Sequence, residues 1–124
     1  MENEEQNLPV LFDDVPSYEA HYDENAFWDK IKSIARKVGA TVLRPVLTLY
    51  YVLEDGDVPI KNKAYIIGAL GYFILPFDII PDFLTVIGYT DDLAVIAIVL
   101  KQVSSNVTPQ IKEKVEIKIK SLLL

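Results

Sequence analysis

The spacing of apolar residues along the chain predicts five helices. From residue 25 onward, apolar positions recur every three or four residues, which is the period of a helix with one buried face. The predicted helices span residues 26–38, 41–54, 59–75, 91–106 and 109–122. Because each apolar stripe needs a partner, we expect one all-α domain, a compact bundle of about five helices.

Glycine, proline and capping residues mark the predicted helix boundaries. Gly39 separates the first two helices, and Pro59 suits the first turn of the third. Thr108 followed by Pro109 is a strong signal for a helix start. Residues 115–120 alternate between apolar and polar as a strand would, but the chain offers no other strand to pair with them, so we favour a helix.

The third and fourth predicted helices are the least polar, and we expect them at the centre of the bundle. In the third, Ala64, Gly68 and Gly71 share one face. Each glycine costs a helix about 1 kcal/mol relative to alanine, so this face predicts close packing against another backbone. The fourth helix contains the uninterrupted apolar run 93–100.

The connection between these two helices is rich in aspartate and proline. Its four carboxylates are Asp78, Asp82, Asp91 and Asp92. We expect them to cap helices and accept hydrogen bonds from backbone N–H groups, which would organise the connection. The alternative is a cation site, because Mg²⁺ and Ca²⁺ accept clustered carboxylates and need no histidine or cysteine.

The composition excludes several kinds of active site. The 124 residues include no cysteine and one histidine, His21, which lies in an acidic segment. Cysteine nucleophiles, thiolate zinc sites, Ser-His-Asp triads and multi-histidine metal sites are therefore not expected. The chain has no glycine-rich phosphate loop and no aromatic platform for bases, so we expect neither a nucleotide cofactor nor nucleic-acid binding. Mg²⁺ or Ca²⁺ is the one cofactor that remains open.

Charge divides the chain into two parts. Residues 1–24 contain eight acidic residues and no lysine or arginine, within a net charge of -6 for the whole chain. We expect a weakly ordered acidic tail at 1–24, followed by a helical domain at 25–124. The tail lacks the layout of a secretory signal or a transit peptide, so we expect no cleaved targeting segment and a cytoplasmic protein.

The apolar segments are too short to span a bilayer. Residues 64–77 form an uncharged run of fourteen residues, which is about 21 Å of helix against a hydrocarbon core of about 30 Å. A longer segment would bring Asp78 and Asp82 into the bilayer, where charged residues are costly. We expect a soluble domain, with association at the inner face of the membrane as the alternative.

Eight residues of the connection stand at the spacing of a family signature, Pro-x-Asp-x-Ile-Pro-Asp-x-x-Pro-x-x-Gly-x-x-Asp-Asp. They are Pro76, Asp78, Ile80, Pro81, Asp82, Gly88, Asp91 and Asp92. The stretch thereby resembles the YkvA-like domains of unknown function, which occur in many bacterial and archaeal proteins. Thr85 stands where that family usually has proline, so we expect a looser turn before Gly88. The resemblance implies a compact helical module, often predicted to be membrane-associated, with no established activity.

Together, these features predict a non-catalytic interaction module that acts at an anionic membrane surface or on a protein partner. Phe27 and Trp28 on the basic first helix suit an interface. The alternative is a hydrolase in which Asp78, Asp82, Asp91 and Asp92 hold a divalent metal that activates water. No feature of the sequence identifies a substrate pocket for such an enzyme.

Overall fold

The computed structural model of the protein describes residues 12–74 and 88–124, without the side chains of residues 12–14, 17–18 and 88–93. In these two stretches the protein is all-α and has no strand, which confirms the predicted fold class. A 3-10 helix, Phe12–His21, comes first, and a second short one spans Ser104–Asn106. The α-helices are α1 (Glu24–Asp55), α2 (Ile60–Ile74), α3 (Gly88–Gln102) and α4 (Pro109–Leu123).

Helix α1 is folded back on itself. Gly39 has a non-helical backbone with φ 68° and ψ -172°, a region that is open almost only to glycine. The rings of Phe27 and Tyr50 stack at 5.0 Å between centroids, although a straight helix would hold these residues about 35 Å apart. Residues 24–38 and 40–55 are therefore two antiparallel arms, which we call the first arm and the second arm.

The number of helices corrects one prediction. The separate helices expected at 26–38 and 41–54 correspond to the two arms, but the chain passes from one to the other without an intervening loop. With the arms counted as one helix, residues 12–74 and 88–124 contain four α-helices, not five. A glycine can reverse the chain direction in a single residue, so no loop is needed there.

Side-chain caps mark the starts of two helices, of which the sequence predicted the second. The Asp23 carboxylate accepts a hydrogen bond from the backbone N–H of Asn25, 3.1 Å away, at the start of α1. At the start of α4, the Thr108 hydroxyl accepts one from the N–H of Ile111 at 3.2 Å. Residues 115–120 are helical. The helix predicted from the Thr108 cap is therefore confirmed, and the strand-like alternation of these residues does not indicate a strand.

The core forms where the two arms meet α2. Phe27 is fully buried, and its ring lies 6.2 Å from that of Phe73 on α2. Lys30 strengthens this junction, because its ammonium donates a hydrogen bond to the Phe73 carbonyl and lies 4.6 Å from the Phe73 ring. The carbonyls of the last helical turn have no partner within the helix, so a lysine there stabilises its end.

The 3-10 helix Phe12–His21, which we call the N-terminal strap, packs against α2. Val15, a residue of this strap, is fully buried. A methyl group on Gly68 would lie 2.1 Å from the Val15 carbonyl oxygen, so the contact requires a residue without a side chain. On the same helix, Gly71 is buried and Ala64 is half-buried. The division into a weakly ordered tail and a domain at residue 24 stays a prediction, although residues 12–21 contact the helices.

Candidate functional site

The residues of the family signature fall largely outside the described parts of the chain. Pro76, Asp78, Pro81 and Asp82 lie in the connection 75–87, between α2 and α3. Gly88 begins α3, and Asp91 and Asp92 follow in its first turn, at a position where carboxylates suit the helix dipole. Among the side chains that the structure describes, no group of three acidic or histidine residues could hold a metal ion. The choice between helix capping and a cation site therefore stays a prediction.

Calorimetric titration with Mg²⁺, Ca²⁺ and Mn²⁺ tests that choice. We expect no saturable heat, because capping leaves the carboxylates bonded to the backbone. Asp91→Asn should leave the thermal unfolding midpoint nearly unchanged, since asparagine caps helices about as well as aspartate. Saturable binding that Asp82→Asn abolishes, with an unchanged helical circular-dichroism spectrum, would contradict the capping role.

A basic surface forms where the first arm of α1 lies beside α4. The Lys118 ammonium lies 5.0 Å from the centre of the Trp28 ring, and an Arg36 N–H points to the Leu124 carbonyl at 3.5 Å. Trp28, Lys32 and Arg36 follow one another at four-residue spacing, so Lys32 lies on the stripe of the arm that faces α4. Ile117 and Lys120 lie next to this junction, on the outer side of α4, away from its buried residues. We call the surface formed by Lys32, Arg36 and Lys118 at the junction, together with Ile117 and Lys120 on the adjoining outer side of α4, the basic face.

The basic face combines positive charge with an exposed apolar side chain. The first arm and α4 each contain four basic and two acidic residues, although the chain as a whole is acidic. Ile117 is 61% exposed in the middle of α4, whose buried residues are Ile111, Val115 and Ile119. Its neighbours on the helix surface, three and four residues away, are Glu113, Lys114, Lys120 and Ser121. An exposed isoleucine next to lysines on the outer side of a helix is suited to contact with an interface.

The lysines of α4 do not all have the role that the sequence indicates. The order of charges along α4 predicts a solvated face made of Lys112, Lys114, Lys118 and Lys120 with Glu113 and Glu116. In the structure Lys114 forms an ion pair with Asp55 at the end of the second arm, and Lys118 lies over Trp28. The pattern of one helix shows which face is polar but not which neighbour lies beside it.

A cavity of about 550 Å³ lies between the second arm, α3 and α4. Leu100, Val107 and Val115 provide its apolar lining. Arg44, Lys112 and Glu116 add charge, and Thr48 and Ser104 add hydroxyl groups. Residues distant in sequence line this cavity, so the sequence alone did not indicate it.

An ion pair forms one wall of the cavity. Arg44 donates two hydrogen bonds to the Glu116 carboxylate, at 2.6 Å from Nε and 3.0 Å from Nη2. These hydrogen bonds lower the pKa of Glu116, since they favour the charged form. Whatever stability the pair contributes is present above the unfolded-state pKa of glutamate and is lost as the pH falls through the lowered pKa. Both groups are exposed, so the pair orients Arg44 more than it stabilises the fold.

None of the helices within residues 12–74 and 88–124 is both long and apolar enough to cross a membrane. The length of α1 would suffice, but its two arms are charged and folded back. Helix α2 is apolar and only 15 residues long, whereas a span needs about 20.

Comparison with known proteins places the chain in a family. Residues 62–98, from α2 through most of α3, match the family described as "Protein of unknown function (DUF1232)". The chain is 31% identical over 72 residues to the "Uncharacterized membrane protein YkvA" of Bacillus subtilis (strain 168), across 53% of this chain and 68% of that protein. No solved structure matches it. The match to this relative covers 68% of its length, and the residues that match the family, 62–98, include the Asp/Pro signature. The resemblance is therefore confirmed, and the chain belongs to the YkvA-like family of proteins of unknown function.

Proposed function

We propose that this domain is a non-catalytic module that attaches peripherally to an anionic membrane surface through the basic face. The observation that carries the proposal is the position of Ile117, which is 61% exposed on the outer side of α4, three residues from Lys114 and from Lys120. Clustered basic residues attract anionic headgroups, and an apolar side chain among them can enter the boundary with the acyl chains. We place the attachment at the cytoplasmic leaflet, which carries anionic lipids.

The shape of the basic face supports this mode of attachment. Two helical segments contribute to it side by side, and the contacts of Trp28 with Lys118 and of Arg36 with Leu124 hold them together. A surface of this kind is already assembled before binding, so little conformational entropy is lost when it meets the membrane. Each lysine or arginine near an anionic surface contributes about 1 kcal/mol, so several together suffice for reversible binding.

The family relationship also favours a membrane role. The relative from Bacillus subtilis is named a membrane protein, while the described helices of this chain are too short or too polar to span a bilayer. Peripheral attachment reconciles these two observations. It needs no spanning helix and leaves the apolar α2 inside the bundle.

Sedimentation with phospholipid vesicles tests the proposal. The full chain is expected to sediment with phosphatidylglycerol vesicles and to stay in the supernatant with phosphatidylcholine vesicles. The double variant Lys32→Gln/Lys120→Gln removes two charges of the basic face, both on exposed side chains. At about 1 kcal/mol per charge, its partition coefficient should fall about thirtyfold.

The matched control is Lys61→Gln/Lys63→Gln, which removes the same charge from the first turns of α2. These lysines follow Ile60, which is 85% exposed, so the control region is also basic and apolar. We expect the control to bind like the unmodified chain. If both double variants lost vesicle binding equally, the attraction would be non-specific and attachment through the basic face would be contradicted. Attachment would also be contradicted if the full chain did not sediment with anionic vesicles.

A further inference from the structure

We propose that the cavity between the second arm of α1, α3 and α4 is a binding site for a single-chain fatty carboxylate. Its volume of about 550 Å³ lies within the range of ligand pockets in proteins, which is about 300–1,000 Å³. The assignment uses none of the residues proposed to contact the membrane surface, so either proposal can fail without the other.

The apolar lining of the cavity indicates that the larger part of the ligand is a hydrocarbon chain. Leu100, Val107 and Val115 come from three different segments and line the same space. Thr48 adds a hydroxyl, but this group already donates to the Arg44 carbonyl at 2.6 Å, so it is not available to a ligand as a donor. A polar molecule would leave its hydrogen bonds unmade against this lining, whereas a hydrocarbon chain gains by leaving water.

The charged residues that line the cavity indicate the charge of the ligand's headgroup. Arg44 and Lys112 are basic, Glu116 is acidic, and their sum is one positive charge. Both Glu116 oxygens already accept hydrogen bonds from Arg44, which leaves the carboxylate poorly suited to a cationic ligand. A guanidinium has five N–H donors, of which Arg44 uses two for Glu116. The remaining donors and the Lys112 ammonium suit a group with one negative charge, such as a carboxylate.

The positions of Lys112 and Glu116 add a geometric reason. They stand four residues apart on α4, so both side chains lie on the same face of the helix, at the edge of the cavity. Because the ion pair holds the Arg44 guanidinium in place, a carboxylate would meet two cations that are already at one edge. The chain of the ligand would then extend inward along Leu100 and Val107.

Titration with dodecanoate below its micelle concentration, followed by calorimetry, tests the assignment. We expect saturable binding of one dodecanoate per chain. Dodecanol, which has the same chain and no charge, should bind about a hundredfold more weakly, because it lacks the charged hydrogen bonds to both Arg44 and Lys112. Acetate, which has the charge and no chain, should give no saturable heat.

Two variants on exposed side chains locate the site. Lys112→Gln should weaken dodecanoate binding about tenfold and leave dodecanol unchanged, since only the carboxylate uses the ammonium. Ser104→Trp, which fills the cavity from its edge, should abolish the binding of both. Lys61→Gln removes the same charge from α2, away from the cavity, and should change neither.

Three results would overturn the assignment. Absence of saturable dodecanoate binding would show that the cavity does not take this ligand. Equal affinity for dodecanoate and dodecanol, or an unchanged affinity in Lys112→Gln, would remove the carboxylate from the proposal. Binding that persists in Ser104→Trp would place the hydrocarbon chain elsewhere on the protein.

Discussion

Replacing Phe27 with alanine is expected to lower the free energy of unfolding by about 3–5 kcal/mol. The Phe27 side chain is fully buried and stacks on Tyr50, with a 5.0 Å distance between ring centroids and a 7° angle between the planes. It also contacts Trp28 edge-on and lies near Phe73 of α2. The substitution therefore opens a cavity where both arms of α1 meet α2.

Urea unfolding followed by circular dichroism measures this loss. The control is Ile60→Ala, because the Ile60 side chain is 85% exposed and such substitutions usually change stability by no more than about 0.5 kcal/mol. If Phe27→Ala cost as little as the control, the two arms would not be folded against each other. The antiparallel arrangement of α1 would then be wrong.

The second large effect is expected at Gly68. A methyl group there would lie 2.1 Å from the Val15 carbonyl oxygen and 2.9 Å from the Pro16 Cα, so Gly68→Ala should displace the N-terminal strap. Both of these atoms belong to the backbone of the strap, which cannot move aside as the end of a flexible side chain can. Val15 would then leave its buried position, at a cost of about 1.5–3 kcal/mol.

Amide hydrogen exchange shows whether the strap is displaced. In Gly68→Ala, residues 12–21 should lose protection while α4 keeps it. Val15→Ala provides a second route to the same state, because it removes the buried contact without introducing a clash. Unchanged protection of the strap in Gly68→Ala would show that the strap does not pack on α2 at this glycine.

The sequence predicted the elements better than their arrangement. The apolar periodicity and the Thr108 cap identified the helices correctly, because those signals act within a few residues of the chain. Gly39 was recognised as a boundary. Its role in folding one arm of α1 back on the other follows from the contact between Phe27 and Tyr50, which are distant in sequence, and no local pattern reveals that contact.

The functional surfaces were harder to predict for the same reason. The signature around Asp78 and Asp82 identified the family, but these two residues lie outside the described part of the chain. Lys118 was expected to be a solvated lysine, and its position over Trp28 depends on the packing of α4 beside the first arm. Ile117 is one of the apolar residues that alternate with polar ones in α4. That it is exposed can be seen only once the buried residues of this helix, Ile111, Val115 and Ile119, are known.

The fluorescence of Trp28 gives the most direct test of attachment through the basic face. It is the one tryptophan of the chain and lies half-buried beneath Lys118, so quenching of its emission by lipid reports on contact at this surface. The full chain would be mixed with phosphatidylglycerol vesicles whose acyl chains carry bromine either near the headgroup or near the chain end. Attachment through the basic face should give stronger quenching by the bromine near the headgroup than by the bromine near the chain end. Sedimentation with the same vesicles without any quenching would show that another surface binds the membrane and would contradict the account.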